Sequence, residues 1–182
     1  MTKVLNLLTL NVRGLNDINK CRSIFSWIVD QNIDNAFLQE TFCTPKLEKN
    51  LKTLWKGEIR NACTDSSHSR GVTILFSESF KAKILNTEFG ENGRTLLVNF
   101  EYNNETFTVV SVYAPNHENK RIEYLKKLNN WVQQNVINGD NVIIAGDFNV
   151  CVHANDRFPQ KSCNDKSGLY FNYLLGDCKL LD

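Results

Sequence analysis

The sequence predicts an α/β fold in which two mixed β-sheets stack on each other and are flanked by helices, a four-layer α/β sandwich. Strand patterns and helix patterns alternate along the 182 residues, as in proteins that pack helices on sheets. Near the middle, strand patterns from Thr95 to Tyr102 and from Thr106 to Tyr113 flank Asn103-Asn104, a suitable hairpin turn. A hairpin inside an alternating pattern favours a layered sandwich over a doubly wound parallel sheet.

The first four elements alternate between strand and helix. The strands are short runs rich in Leu, Val and Phe, whereas the helices carry apolar residues three or four positions apart. Their predicted bounds are a strand from Val4 to Leu10, a helix from Asn19 to Asp30, a strand from Asn35 to Gln39 and a helix containing Leu47, Leu51 and Leu54.

The second half is first rich in strands and then returns to helices. Besides the hairpin, the predicted elements are strands from Val72 to Phe76, Lys81 to Thr87 and Asn141 to Ala145, a long helix that Asn116 caps and that ends near Val136, and a last helix from about Lys166 to Leu175. Gly146 to Asn149 is predicted to form a tight turn. These elements fit one domain over residues 1–182.

Composition places the chain among globular proteins and restricts its partners only loosely. Hydrophobic residues make up 42% and charged residues 23%, and 21 Lys and Arg against 20 Asp and Glu give a net charge of +1. This balance neither requires nor excludes nucleic acid, because an enzyme that grips a few phosphates need not be basic overall.

Three negative features predict an intracellular protein that is neither secreted nor bound to a membrane. No apolar run reaches the ~18 residues of a membrane span. Lys3 and Asn6 interrupt the N-terminal stretch that a secretion signal would need. The six cysteines show no C-x-x-C pair, which favours reduced thiols and argues against a zinc finger.

Polar residues that could carry chemistry follow or end four of the apolar strands. They are Asn11, Glu40, Tyr113 and the pair Asp147 and Asn149. Strand ends are where α/β proteins display functional side chains. Carboxylate and amide oxygens suit Mg²⁺, and amide and hydroxyl donors can hold negative charge at a phosphate. Each residue alone could be an ordinary turn or cap residue, so only their joint occurrence indicates phosphodiester chemistry.

Five motifs that span these residues resemble the endonuclease/exonuclease/phosphatase superfamily. The motifs are Thr9-Leu10-Asn11-Val12-Arg13-Gly14-Leu15, Leu38-Gln39-Glu40-Thr41, Arg70-Gly71-Val72-Thr73-Ile74-Leu75, Val112-Tyr113-Ala114-Pro115-Asn116 and Gly146-Asp147-Phe148-Asn149. Within the superfamily, the first three look most like the endonuclease of LINE-type (non-LTR) retrotransposons. Asp156-Arg157 and the closing Leu180-Leu181-Asp182 fit that subgroup as well.

The resemblance implies a role for each matching residue. Glu40 should be the principal metal ligand with Asn11 beside it, holding Mg²⁺, for which Mn²⁺ can substitute. Tyr113 should contact the scissile phosphate, Asp147 should position or deprotonate the attacking water, and Asn149 should stabilise the transition state. The expected nucleic-acid contacts are Arg13, Asn116 and Arg157.

The activity that the resemblance implies is nicking of target DNA to leave a 3′-hydroxyl that primes reverse transcription. A reverse transcriptase region is then expected downstream in a polyprotein, and the location is expected to be the nucleus as well as the cytoplasm. Two alternatives stay open: another branch of the superfamily that acts on RNA, abasic DNA or inositol phosphates, and an inactive fragment that only binds.

The chain departs from the superfamily pattern at its end. The family's closing strand and Ser-Asp-His motif have no counterpart before Asp182. The resemblance therefore implies that the last strands are absent, that the domain is truncated and that residues 1–182 alone are inactive or nearly so. The histidines at positions 68, 117 and 153 lie upstream of where the family's histidine belongs and are expected at the surface.

Overall fold

Two four-stranded sheets form the framework of the protein, whose structure is a computed structural model that describes residues 4–65, 67–136, 141–156 and 164–181. The first sheet has the order β1-β2-β4-β3, with β1 Leu7–Asn11, β2 Asn35–Gln39, β3 Glu58–Ala62 and β4 Val72–Phe76. The second has the order β5-β6-β7-β8, with β5 Lys83–Phe89, β6 Thr95–Tyr102, β7 Glu105–Tyr113 and β8 Asn141–Asp147. The pairs β1-β2 and β7-β8 are parallel and the others antiparallel, which confirms the predicted pair of mixed sheets.

The chain divides into two compact units. The first comprises Met1–Tyr113 with Ile137–Asp147, and the second comprises Ala114–Val136 with Phe148–Asp182. The first unit holds both sheets and the helices α1 (Ile18–Asp30) and α2 (Pro45–Leu54), and the second holds α3 (Glu118–Asn135) and α4 (Ser167–Asp177). Among the described residues, no helix combines the length and the apolar character needed to cross a membrane.

Helices α1 and α2 start at side-chain caps and share a core with the first sheet. Asp17 accepts hydrogen bonds from two N–H groups in the first turn of α1, and Thr44 accepts one from Leu47 in α2. The fully buried members of this core include Leu15, Ile28, Leu38, Leu51 and Leu75. Because each helix follows β1 or β2 after a short loop, the core fixes the loops that begin at the ends of those two strands.

The two sheets share a second core that is rich in aromatic rings. Phe76 and Phe100 meet edge to face with ring centroids 5.3 Å apart, and Phe80 meets Phe100 in the same way at 5.7 Å. Phe107 of β7 stacks on Phe100 at 5.3 Å. This core ties the first sheet to the second, so strand ends that come from different sheets have fixed relative positions.

In the second unit, a buried ion pair joins α3 to the start of α4. Arg121 is 5% exposed and forms a salt bridge of 2.8 Å with Asp165. Its Nε donates to Ser167 Oγ at 2.8 Å, and its Nη1 donates to the carbonyls of Pro115 and Asn116 at 3.2 and 2.7 Å. One guanidinium thus holds the loop before α3 and the first turn of α4.

Strand β3 was not predicted from the sequence. Glu58–Ala62 contains only two apolar residues and lacks a clear alternation. The strand forms because it pairs antiparallel with β4, where Ile59 lies opposite Leu75. A neighbouring strand, and not a local pattern, therefore decides its conformation.

Other predicted bounds also change where tertiary pairing intervenes. The predicted strands Val4–Leu10 and Lys81–Thr87 lie at Leu7–Asn11 and Lys83–Phe89. Asn116 does not cap α3, because the N-cap is His117 and the Asn116 carbonyl accepts from the buried guanidinium instead. The turn predicted from Gly146 starts too early, since β8 stays paired with β7 as far as Asp147.

Candidate active site

Four of the predicted site residues meet where strands of both sheets end. Asn11 ends β1, Glu40 follows β2, and Tyr113 and Asp147 are paired at the ends of β7 and β8. Asn11 Nδ2 donates to Glu40 Oε1 at 2.9 Å and to Asp147 Oδ2 at 3.1 Å. The Tyr113 side chain is hydrogen-bonded to Glu40 as well. Residues far apart in the chain therefore form one polar cluster, all of it within the first unit.

Glu40 sits in a backbone conformation that non-glycine residues seldom adopt. Its φ is 52°, and that of Phe42 is 54°. The loop is held from both sides, because Gly14 N donates to the Glu40 carbonyl at 2.6 Å and Thr41 N donates to the Gly71 carbonyl at 3.0 Å. These hydrogen bonds hold the loop in one conformation and so fix the direction of the Glu40 side chain.

A glycine immediately before Asp147 allows β8 to lie against β7. Gly146 has a φ of +150°, and a Cβ there would come within 2.0 Å of the Val112 carbonyl oxygen. Gly146 and Val112 are direct partners in the parallel register, which then pairs Asp147 with Tyr113. The side chain of Asp147 thus reaches the cluster because the preceding residue has none.

Tyr113 is held as a protonated hydroxyl. Burial raises its pKa to about 12, and the hydrogen bond and charge of Glu40 and the charge of Asp147 act in the same direction. The guanidinium of Arg94 lies 5.1 Å from the ring centroid and opposes this rise in pKa. Arg94 also forms two hydrogen bonds with the backbone of Tyr113. Arg94 Nη1 donates to the Tyr113 carbonyl at 3.0 Å, and the Arg94 carbonyl accepts from Tyr113 N at 2.8 Å.

The donor set of the cluster fits a hard divalent cation. In the described part of the chain, no group of three or more His, Cys, Asp and Glu side chains could bind a metal together. Mg²⁺ does not need such a group, because it commonly uses one or two carboxylates and completes its shell with water and phosphate oxygens. Glu40 and Asp147 supply two carboxylates, whereas the Asn11 amide oxygen accepts from Arg13 N at 3.2 Å.

The other predicted site residues lie outside this cluster or outside the described residues. Asn149 belongs to the second unit, has a φ of 52° and donates from Nδ2 to the Ala114 carbonyl at 2.9 Å. Asn116 is exposed in the same unit, and Arg13 is exposed in the first. Arg157 lies outside the described residues. The predicted convergence of Asn149 with the cluster, and the nucleic-acid contacts, stay predictions.

Sequence reasoning overlooked several residues that support these loops. Lys20 donates from Nζ to the carbonyls of Val12 and Arg13 at 2.6 and 3.1 Å, which ties α1 to the loop after Asn11. Arg94 was overlooked too, although it directly precedes the strand β6. Neither residue carries a local pattern that separates it from an ordinary surface cation. The three histidines are exposed, as predicted.

Carboxylate, amide and phenol groups gather at the strand ends of this two-sheet α/β sandwich. This combination of fold and site is that of a hydrolase that acts on phosphate esters. The chain belongs to the Endonuclease/Exonuclease/phosphatase family, whose model matches residues 8–175. It is 30% identical over 179 residues to the Transposon TX1 uncharacterized 149 kDa protein of Xenopus laevis. That match covers 98% of this chain and 13% of the longer protein. The predicted family and its link to transposon proteins are confirmed.

Solved structures share the fold at low sequence identity. An AP endonuclease from Archaeoglobus fulgidus has a TM-score of 0.69 at 18% identity, covering 95% of this chain and 70% of that chain. D. rerio TDP2 complexed with a single-strand DNA product has a TM-score of 0.61 at 20% identity, covering 81% and 61%. The AP endonuclease LMAP from Leishmania major has a TM-score of 0.67 at 18% identity, covering 95% and 66%. These likenesses confirm the predicted fold class.

Proposed function

We propose that this chain carries active-site residues of a Mg²⁺-dependent endonuclease that nicks DNA and leaves a 3′-hydroxyl. The observation that carries the proposal is the Asn11 amide, which donates to both Glu40 and Asp147 beside the Tyr113 hydroxyl. Two carboxylates held this close repel each other when charged, and a bound cation relieves that repulsion. Glu40 is the proposed principal ligand of Mg²⁺ or Mn²⁺, and Asn11 orients its carboxylate.

The proposed chemistry divides among the residues of the cluster. When bound, the metal ion would offset the charge of the scissile phosphate. Asp147 would orient the attacking water and accept its proton. Tyr113, whose raised pKa keeps its hydroxyl protonated at neutral pH, would donate a hydrogen bond to a phosphate oxygen. Asn149 would add an amide donor as negative charge develops there.

DNA is the proposed substrate because of the relatives that this chain resembles. The 30% identical relative is a transposon protein, and one solved structure with the same fold holds a single-strand DNA product. A nick with a 3′-hydroxyl would serve an element that copies itself by reverse transcription, so a reverse transcriptase region and a nuclear site of action belong to the proposal. The exposed Arg13 and Asn116, together with Arg157, are the proposed DNA contacts.

The test is nicking of supercoiled plasmid by residues 1–182 and, if the reading frame continues, by the longer protein. The nicking rate with Mg²⁺ or Mn²⁺ is compared with the rate in the presence of a chelator. Asp147→Ala and Glu40→Gln should each lower the nicking rate by roughly 10²-fold or more. Glu105→Gln removes an exposed carboxylate at the start of β7 and should leave the rate unchanged. Extension of the nick by a DNA polymerase reports the 3′-hydroxyl.

Three outcomes would overturn the proposal. The first is near-normal nicking by Asp147→Ala, and the second is the absence of metal-dependent nicking from every form of the protein. The third is a clear preference for RNA, abasic DNA or inositol phosphates in a parallel substrate panel. A rise in melting temperature with Mg²⁺ that Glu40→Gln abolishes tests the metal site separately from catalysis, since a ligand that binds only the folded state stabilises it.

A further inference from the structure

Two thiols from different loops are in contact, and one of them lies in the segment that follows Glu40. Cys43 Sγ and Cys63 Sγ are 2.8 Å apart, although the residues are 20 positions apart in the chain. Cys43 follows β2 and Cys63 follows β3, and both strands pair with β4 at Val72. Thr64 N donates to the Cys43 carbonyl at 2.7 Å, so the two backbones are also joined.

The two thiols differ in exposure and in acidity. Cys43 is fully buried, whereas Cys63 is partly exposed. The hydrogen bond between them lowers the pKa of Cys63, and the same bond together with burial raises the pKa of Cys43. The more exposed sulfur, whose pKa is lowered, therefore lies in contact with a buried thiol whose pKa is raised, which is the arrangement of an attacking and a resolving cysteine.

We propose that Cys43 and Cys63 form an oxidative modification site that a peroxide closes into a disulfide. The Cys63 thiolate attacks one peroxide oxygen, the O–O bond breaks, and one water leaves after protonation. Cys63 is then a sulfenic acid. Cys43 sulfur attacks Cys63 sulfur, the S–S bond forms, and the thiol proton leaves with the hydroxyl as a second water. Two thiols are oxidised while hydrogen peroxide is reduced to two waters.

Closure requires little movement, because a disulfide holds its sulfurs about 2.05 Å apart and these start at 2.8 Å. The bond would tie the segment that carries Glu40 to the end of β3 and would close a loop of about 20 residues. Cross-linking a loop of that length restricts mainly the unfolded chain. Oxidation should therefore stabilise the folded protein and leave the cluster around Glu40 in place.

Two other cysteines provide internal controls. Cys21 is buried, donates to the Leu15 carbonyl at 2.9 Å and has a raised pKa because of burial. Burial also raises the pKa of Cys178. These two free thiols should react slowly. Cys151 is disulfide-bonded, so the expectation of reduced cysteines throughout is wrong for that residue.

The experiment treats residues 1–182 with hydrogen peroxide, blocks the remaining thiols and maps the tryptic peptides. A linked pair of peptides 23–46 and 61–70, lighter by two hydrogen atoms than the two together, should appear first. The melting temperature should rise by roughly 6–12 °C. Cys43→Ser and Cys63→Ala should each abolish the rise, whereas Cys21→Ser and Cys178→Ser should retain it.

Two results would overturn the inference. One is earlier oxidation of Cys21 or Cys178 than of the Cys43–Cys63 pair. The other is a linked peptide pair with an unchanged or lower melting temperature, which would mean that closure strains the fold. If Cys43→Ser fails to fold, Cys63→Ala still decides the matter, because its partly exposed site tolerates the smaller side chain. None of these readouts depends on the proposed nuclease activity.

Discussion

Replacing Arg121 by methionine should destabilise the second unit far more than the loss of an ordinary ion pair. Side-chain exposure is 6% for Arg121 and 4% for Asp165, so Arg121→Met keeps most of the volume but leaves a buried carboxylate without its cation. Breaking one side of such a pair costs about 3–5 kcal/mol. Asp165 keeps hydrogen bonds from Cys151 N at 3.1 Å and Ser167 N at 3.0 Å, so we expect the lower end, about 3 kcal/mol.

Urea unfolding followed by circular dichroism measures this loss, and an exposed pair on the same helix supplies the control. Lys127 pairs with Glu123 at 3.2 Å, with side chains 52% and 68% exposed. Lys127→Met should therefore cost no more than about 0.5 kcal/mol. The double variant Arg121→Met/Asp165→Leu should recover part of the stability, because no charge then remains buried.

The same pair has a defined pH dependence. Burial raises the pKa of Asp165, but hydrogen bonds from Ser167 and Arg121 outweigh burial and lower it below 3.8. Because the folded-state pKa is depressed, the stabilisation is present above pH 3.8 and is lost as the pH falls through the lowered value. The difference in unfolding free energy between wild type and Arg121→Met should therefore become smaller as the pH falls through that lowered pKa. A loss under 1 kcal/mol at neutral pH, similar to that of Lys127→Met, would refute the reasoning.

Three further predictions concern the first unit and the last helix. Tyr113 has a pKa raised to about 12 from 10.0, so its contribution to stability is full below pH 10 and is lost as the pH rises towards 12; Tyr113→Phe should lack this alkaline loss in pH-dependent urea midpoints. Gly146→Ala should lower the free energy of unfolding by roughly 3 kcal/mol or more in the same assay, because the added Cβ would collide with the Val112 carbonyl. Gly176→Ala is the control, because nothing lies within 4 Å of a Cβ at that position. It should stabilise α4 by up to about 1 kcal/mol. Asn11→Asp replaces the amide that bridges two carboxylates by a third carboxylate. The melting temperature without Mg²⁺ should therefore fall, and the rise in melting temperature on adding Mg²⁺ should be larger than in the wild type. A rise equal to that of the wild type would contradict the proposed metal site.

Much of the candidate site could be anticipated because each residue follows a recognisable local pattern. Asn11, Glu40, Tyr113 and Asp147 all stand at or just after the end of an apolar strand. Parallel neighbours end at the same edge of a sheet, which brings Asn11 near Glu40 and Tyr113 near Asp147 but does not by itself bring the two pairs together. β3 escaped this reasoning because its sequence has no strand pattern and only its pairing with β4 makes it a strand.

By itself, the sequence determined the family, the two-sheet class and the chemical groups at the strand ends, because short stretches of neighbouring residues carry that information. Only the tertiary structure decided which distant groups meet. Asn11 reaches Asp147 across 136 positions, Cys43 touches Cys63 across 20, and Arg121 pairs with Asp165 across 44. These contacts depend on strand order, register and the faces that are buried together, and no local window of sequence contains those three quantities.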